Sequence, residues 1–128
     1  MDIRLKRVYD PPAGEDGYRV LVDRLWPRGL SKDAAKVELW LKDIAPSDLL
    51  RKWFGHEVAR WEEFRHRYQD ELVDAGEAMG KLLAIARRGT VTLLYGAHDQ
   101  EHNNAVVLRD RLEAELRHEE VKPRRRSA

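Results

Sequence analysis

The chain contains no cysteine. Disulfides, thiolate nucleophiles and cysteine-ligated zinc are therefore excluded. No apolar run approaches the roughly 20 residues of a membrane span. Where a signal peptide would place a basic start and an apolar stretch, Met1–Arg7 alternates charge with Ile3 and Leu5. Gly-x-Gly-x-x-Gly and Walker loops are both missing, so a standard dinucleotide or ATP site is not expected. Gly-x-Ser-x-Gly is missing too, and neither Ser31 nor Ser47 has a His-Asp pair nearby in sequence, which leaves serine nucleophiles without support. Among 23 acidic residues no glycosidase-style carboxylate pair stands out. These absences predict a cytoplasmic protein with no membrane partner, and they single out no cofactor.

What is present suits one domain. There are 128 residues, 42% hydrophobic and 37% charged, enough for a single core under a densely charged surface. Net charge is +1, but the last ten residues hold four basic groups (Lys122, Arg124, Arg125, Arg126) against Glu119 and Glu120. Without them the chain has 20 basic and 21 acidic groups, a net of −1. The folded part is thus not a globally basic nucleic-acid binder. The expected organisation is one α/β domain over residues 1–118 and a disordered basic tail over 119–128, with polyanion contact by the tail as the alternative.

Along the chain, Ile3–Val8 reads as an imperfect strand, Tyr9–Gly17 as a Pro/Gly loop, and Tyr18–Val22 as a buried strand broken by Pro27 and Gly29. Ser31 caps a short helical turn through Ala35, while Val37–Lys42 fits strand or helix equally. Ser47 caps a helix over Asp48–Phe54, which Gly55 stops. Val58, Trp61, Phe64, Tyr68 and Leu72 recur at helical spacing; Glu77–Arg88 is a further helix, Thr90–Tyr95 a second buried strand, Gly96–Asn103 a polar loop and Ala105–Arg117 a final helix. Helices between strands predict a small, partly parallel sheet covered by helices, in a single three-layer-like α/β domain. Trp40, Trp53 and Trp61 are expected in the core.

Ligands in such sheets bind beyond the carboxyl ends of the strands, and two polar clusters follow the two confident strands. The first is Asp23-Arg24-Leu25-Trp26-Pro27-Arg28-Gly29; its guanidiniums suit phosphate or carboxylate, and Trp26 can stack on a flat ligand. Its structural alternative pairs Asp23 with Arg24 or Arg28 and buries Trp26 under the turn. The second runs from Tyr95 to Asn104 and carries His98, Asp99, Glu101 and His102. An imidazole there can move a proton near neutral pH, and Asn103 or Asn104 can cap the next helix or bind an anion beside it. As a metal site, His98 and His102 lack the His-Glu-x-x-His helix pattern, so no metal is predicted. His56 reads as a helix-end residue and His66 as solvated. Trp53-Phe54 can line a pocket, though the core is the better assignment.

The strings Lys6–Asp10, Gly17–Gly29, Ile44–Ser47 with Leu50-Arg51, Phe64-Arg65 with Tyr68, Leu93–Tyr95 and His102–Leu108 resemble the YeaO-like branch of a family of uncharacterised bacterial proteins, domain of unknown function 488. The resemblance spans about residues 3–116 and implies a small α/β protein without an established activity. Broader relatives are similar in carrying a Cys-His-Arg string near the place of His102-Asn103-Asn104, so a thiol mechanism does not carry over. Some such families bear regulator labels, yet no helix-turn-helix pattern is visible here.

The leading expectation is a domain for a small anionic or phosphate-bearing ligand, with hydrolytic or proton-transfer chemistry as its enzymatic form. Arg24 and Arg28 clamp the anion beside Trp26, Asp23 orients an arginine or a substrate hydroxyl, His98 or His102 moves the proton, and Tyr95, Asn103 and Asn104 complete the site. The alternatives are a nucleic-acid-associated module using the Arg-rich tail with Lys6, Arg7, Arg19 and Arg24, and an interaction protein such as a homodimer.

Overall fold

Val91-Thr92-Leu93-Leu94-Tyr95 offers apolar or β-branched side chains on both faces, the pattern of a strand covered on both sides. In the computed structural model, which describes residues 2–121, this run is the fully buried strand β4 (Val91–Tyr95). It lies between β1 (Ile3–Arg7) and β2 (Tyr18–Leu21), and the two-residue strand β3 (Leu39–Trp40) forms the far edge, in the order β1-β4-β2-β3. All three pairings are parallel, with Ile3 opposite Val91 and Leu21 opposite Leu94.

Among the described residues, five α-helices accompany the sheet: α1 (Lys32–Ala35), α2 (Asp48–Phe54), α3 (Trp61–Val73), α4 (Gly76–Arg88) and α5 (Asn104–Val121). Side chains alternate across the sheet. Val20, Val91, Leu93 and Tyr95 join the large core made with α2 to α5, whereas Leu21, Leu94 and Val8 face a small cluster closed by Ala35, Trp26, Leu30 and Trp40. The chain is thus the small α/β domain expected, with its helices concentrated on one face and a loop with one helical turn on the other.

Local chemistry explains the element ends. Ser31 and Ser47 accept the N–H groups of Ala34 and Leu50 at the starts of α1 and α2. Gly17 adopts φ +66, and a Cβ there would lie 2.2 Å from the Thr90 carbonyl oxygen, so only glycine fits where β2 joins β4. The undecided Val37–Lys42 segment becomes the β3 edge followed by a 3₁₀ turn at Lys42–Ile44. The helix expected from Val58 starts at Trp61, after a 3₁₀ turn at Val58–Arg60. At the other end of the chain, α5 continues through Glu119 and Glu120, and Glu119 accepts from Arg87 of α4 at 3.0 Å. Lys122, Arg124, Arg125 and Arg126 lie outside the described residues.

The three tryptophans assigned to the core are only partly buried. Trp40 donates its indole N–H to the Asp23 carbonyl, Trp53 sits under the guanidiniums of Arg60 and Arg67, and Trp61 packs at the edge of the large core.

Candidate functional site

Because β2 and β4 are adjacent and parallel, their carboxyl ends lie at the same edge of the sheet. The chain leaves β2 toward the small cluster and leaves β4 into α5 on the large-core face. Such a switch point opens a crevice between the two strand ends. Asp23 bridges it: Oδ2 accepts the Gly96 N–H at 2.8 Å, and Oδ1 accepts Asn104 Nδ2 at 3.1 Å, while the same amide group donates to the Val22 carbonyl at 3.0 Å. A Cβ at Gly96 would stand 3.3 Å from Asp23 Oδ2, so a small residue favours this close approach. Burial raises the Asp23 carboxyl above the ordinary aspartate range; the bonds from Gly96 and Asn104 and the positive groups of His56 and Arg51 pull it back only in part.

Above this bridge lies a cavity of about 630 Å³. The strand-end loops line it with Asp23, Arg24, His98 and Asp99, the end of α2 with Arg51, Lys52 and His56, the aromatic core with Phe54 and Phe64, and the start of α5 with Asn103 and Asn104. Arg51 and Lys52 occupy the last turn of α2, where cations offset the negative end of a helix. That accounts for their sign. It does not account for Arg51 Nε, which is buried and has no hydrogen-bond partner among the described residues, although an Nη donates to Asp48 at 3.2 Å. His56 follows Gly55 in the left-handed region, at φ +60 after φ +51, a conformation that costs a non-glycine residue roughly 1–2 kcal/mol. Its ring lies 6.1 Å from Phe54.

The residues named from sequence divide. Asp23, Arg24, His98, Asn103 and Asn104 line the cavity. Arg24 does not pair with Asp23; its guanidinium donates to the carbonyls of Ala45 and Pro46 at 3.2 and 3.1 Å. Asn103 is buried and caps α5 by accepting the Val106 N–H, while its amide donates to the Asp99 carbonyl. Four others stay outside the lining. Trp26 donates to the Leu30 carbonyl and packs edge-on against Trp40 on the opposite face of the sheet. Arg28 is exposed and contributes its carbonyl to the Tyr9 hydroxyl, so the Arg24–Arg28 clamp does not form. Tyr95 is buried in the large core, which pushes its phenol up. His102 is held by Asp99, with Nδ1 2.9 Å from Oδ2, and meets the Trp61 ring at 5.2 Å.

Arg51 and Lys52 are not among the expected site residues, and His56 is expected only as a helix-end residue. They belong to a separate helix whose end is legible as a glycine stop, and only tertiary packing brings that end over the strands. Phe54 serves as core and as cavity lining at once. The residues grouped for nucleic acid also have internal acceptors: Arg19 is buried on Asp16 and the Ala35 carbonyl, Lys6 reaches Asp16 at 3.0 Å, and Arg7 donates to the Ala97 carbonyl. Burial raises the Asp16 carboxyl, but the Ala13 N–H, Lys6 and Arg19 outweigh it and hold its pKa below the ordinary value. Among the described residues no group of three or more His, Asp or Glu side chains is arranged to hold a metal ion, and no helix is long and apolar enough to cross a membrane.

Comparison with known proteins agrees with the resemblance in the sequence strings. A family model described as the inactive DUF488-N3 subclade matches residues 2–128. The uncharacterized protein YeaO of Escherichia coli K12 is 46% identical over 110 residues, covering 86% of this chain and 96% of its own. The uncharacterized protein Rv3073c of Mycobacterium tuberculosis is 42% identical over 106 residues, 83% of this chain and 89% of its own. No solved structure matches the chain. From the family model and these identities together, the chain belongs to the YeaO-like DUF488 family.

Proposed function

We propose that the crevice at the ends of β2 and β4 binds a small anionic or phosphate-bearing molecule without turning it over. The observation that carries this reading is the gathering of Arg51, Lys52 and His56 from one stretch of the chain in the cavity lining. Among the described residues the Arg51 guanidinium holds only an exposed pairing with Asp48, and its fork suits an oxyanion. Lys52 lines the cavity beside Arg51 and the start of α5 opens into it, each favouring negative charge. Binding is preferred to catalysis on two grounds. Among the described residues the one imidazole oriented by a carboxylate, His102, lies outside the lining, and the matching subclade is described as inactive.

Titration with inorganic phosphate, followed by amide shifts at His56, Gly96 and Asn104, tests this. Arg51→Ala is expected to weaken binding at least about tenfold, the loss of one charge-assisted hydrogen bond. Its exposed pairing with Asp48 is worth about 0–1 kcal/mol, so unfolding by denaturant is expected to change by no more than that. Arg28→Ala is expected to bind as the parent does. Phosphate affinity unchanged in Arg51→Ala would overturn the proposal.

A further inference from the structure

The cavity is much larger than a bare oxyanion: at about 630 Å³ it lies within the roughly 300–1,000 Å³ of pockets that enclose whole organic ligands. Its chemistry is also lopsided. Two lining cations come from one segment, the last turn of α2, where Lys52 stands beside Arg51 with its exposed pairing to Asp48, while the second lining guanidinium, Arg24, is bonded to the Ala45 and Pro46 carbonyls. The strand-end loops contribute the carboxyl groups of Asp23 and Asp99 to the lining. A guest with negative charge at both ends would meet repulsion there, whereas one charged at a single end would not.

Apolar surface occupies the rest. Phe54 and Phe64 stack at 4.4 Å between centroids, with planes 22° apart, and form the floor. Pro46 and Ala97 flank it. Leu25, directly after Asp23 and Arg24 in sequence, also lines the cavity and is 57% exposed, a large apolar side chain left in water. Water over such a floor is displaced favourably by an apolar group.

Resting on the anion reading above, we infer that the guest is an amphipathic anion: a single oxyanion head set against the α2 end, joined to an apolar body of about ring size that covers Phe54 and Phe64 and is closed over by Leu25. The charge pattern rejects polyanions, and the floor rejects bare inorganic ions as the best occupant.

Calorimetric titration of the full chain with phenyl phosphate, inorganic phosphate and phenol separates the parts. Phenyl phosphate is expected to bind at least about fivefold more tightly than inorganic phosphate, and more tightly than phenol by a similar factor. Leu25→Ser, a change at an exposed position, is expected to remove most of the phenyl phosphate advantage and to leave phosphate affinity as it was. A phosphate affinity within fivefold of phenyl phosphate overturns the amphipathic guest while the anion reading stands. Phenol binding as tightly as phenyl phosphate overturns the anionic head. Absence of binding by either phosphate compound overturns both readings together.

Discussion

Asp23 concentrates the physics of the site. Its carboxyl group is the link between two strand ends and the last helix, since it accepts from Gly96 and Asn104, and burial raises its pKa despite both bonds. An aspartate with a raised folded pKa binds its proton more tightly in the native state. Stability therefore falls as pH rises from the ordinary aspartate value of about 3.9 to the raised one, and is flat above it. In Asp23→Asn this slope is expected to vanish, so the advantage of the parent over the variant should shrink as pH rises through that window; urea unfolding across it measures both. An advantage that grows with pH would contradict the burial argument. The same sign applies to binding. Neutral Asp23 removes a negative charge facing Arg51 and His56, so phosphate is expected to bind more tightly as pH falls through the window.

At the scale of elements, two helix starts and one helix end set the cavity. Ser47 accepts from Leu50, donates to Glu71 at 2.6 Å and so fixes α2 against α3. Tyr68 of α3 donates to the Ile44 carbonyl at 2.6 Å, and Arg24 holds the next two carbonyls, so the approach to α2 is pinned from three sides. Asn103 does the same for α5, accepting from Val106 and donating to the Asp99 carbonyl while almost fully buried. Asn103→Ala is expected to cost about 1–2 kcal/mol in denaturant unfolding, the usual loss of an N-cap. It is also expected to shift the amides of Asp99 and Gly96, because the loop is tied to the cap. A loss below about 0.5 kcal/mol would mean that the helix start finds its acceptor elsewhere.

Across the whole molecule, stability is graded by burial and pairing. β4 is buried at every position and paired along both edges, whereas β3 is two residues long and pairs on one side. Native-state hydrogen exchange is expected to find the β4 amides exchanging only with global unfolding and those at Leu39 and Trp40 by local opening. Equal protection at both would argue that the sheet opens as one unit. Because the cavity is built on β4 and its neighbour β2, part of its lining stands on the most buried strand, while the cationic part belongs to the end of a seven-residue helix packed on α3.

Much of this was legible in the chain itself. Caps at Ser31 and Ser47, the glycine after Phe54, the spacing of Phe64, Tyr68 and Leu72, and the uninterrupted Val91–Tyr95 run mark elements by short-range chemistry, which a linear reading captures. The parallel pairing of β2 with β4, and the convergence of Asp23 with Gly96 and Asn104, lay beyond any local rule, since those residues are more than seventy positions apart in sequence. So did the fate of each arginine. Composition places guanidiniums near the strand end, but whether one finds a backbone carbonyl, as Arg24 does, stays in solvent, as Arg28 does, or is left with a bare buried nitrogen, as Arg51 is, depends on which acceptors packing brings within reach. Helices, buried strands and the lack of cysteine chemistry thus follow from the order of residues along the chain; which charges share a cavity follows from packing, because hydrogen-bond partners and burial are properties of neighbours in space.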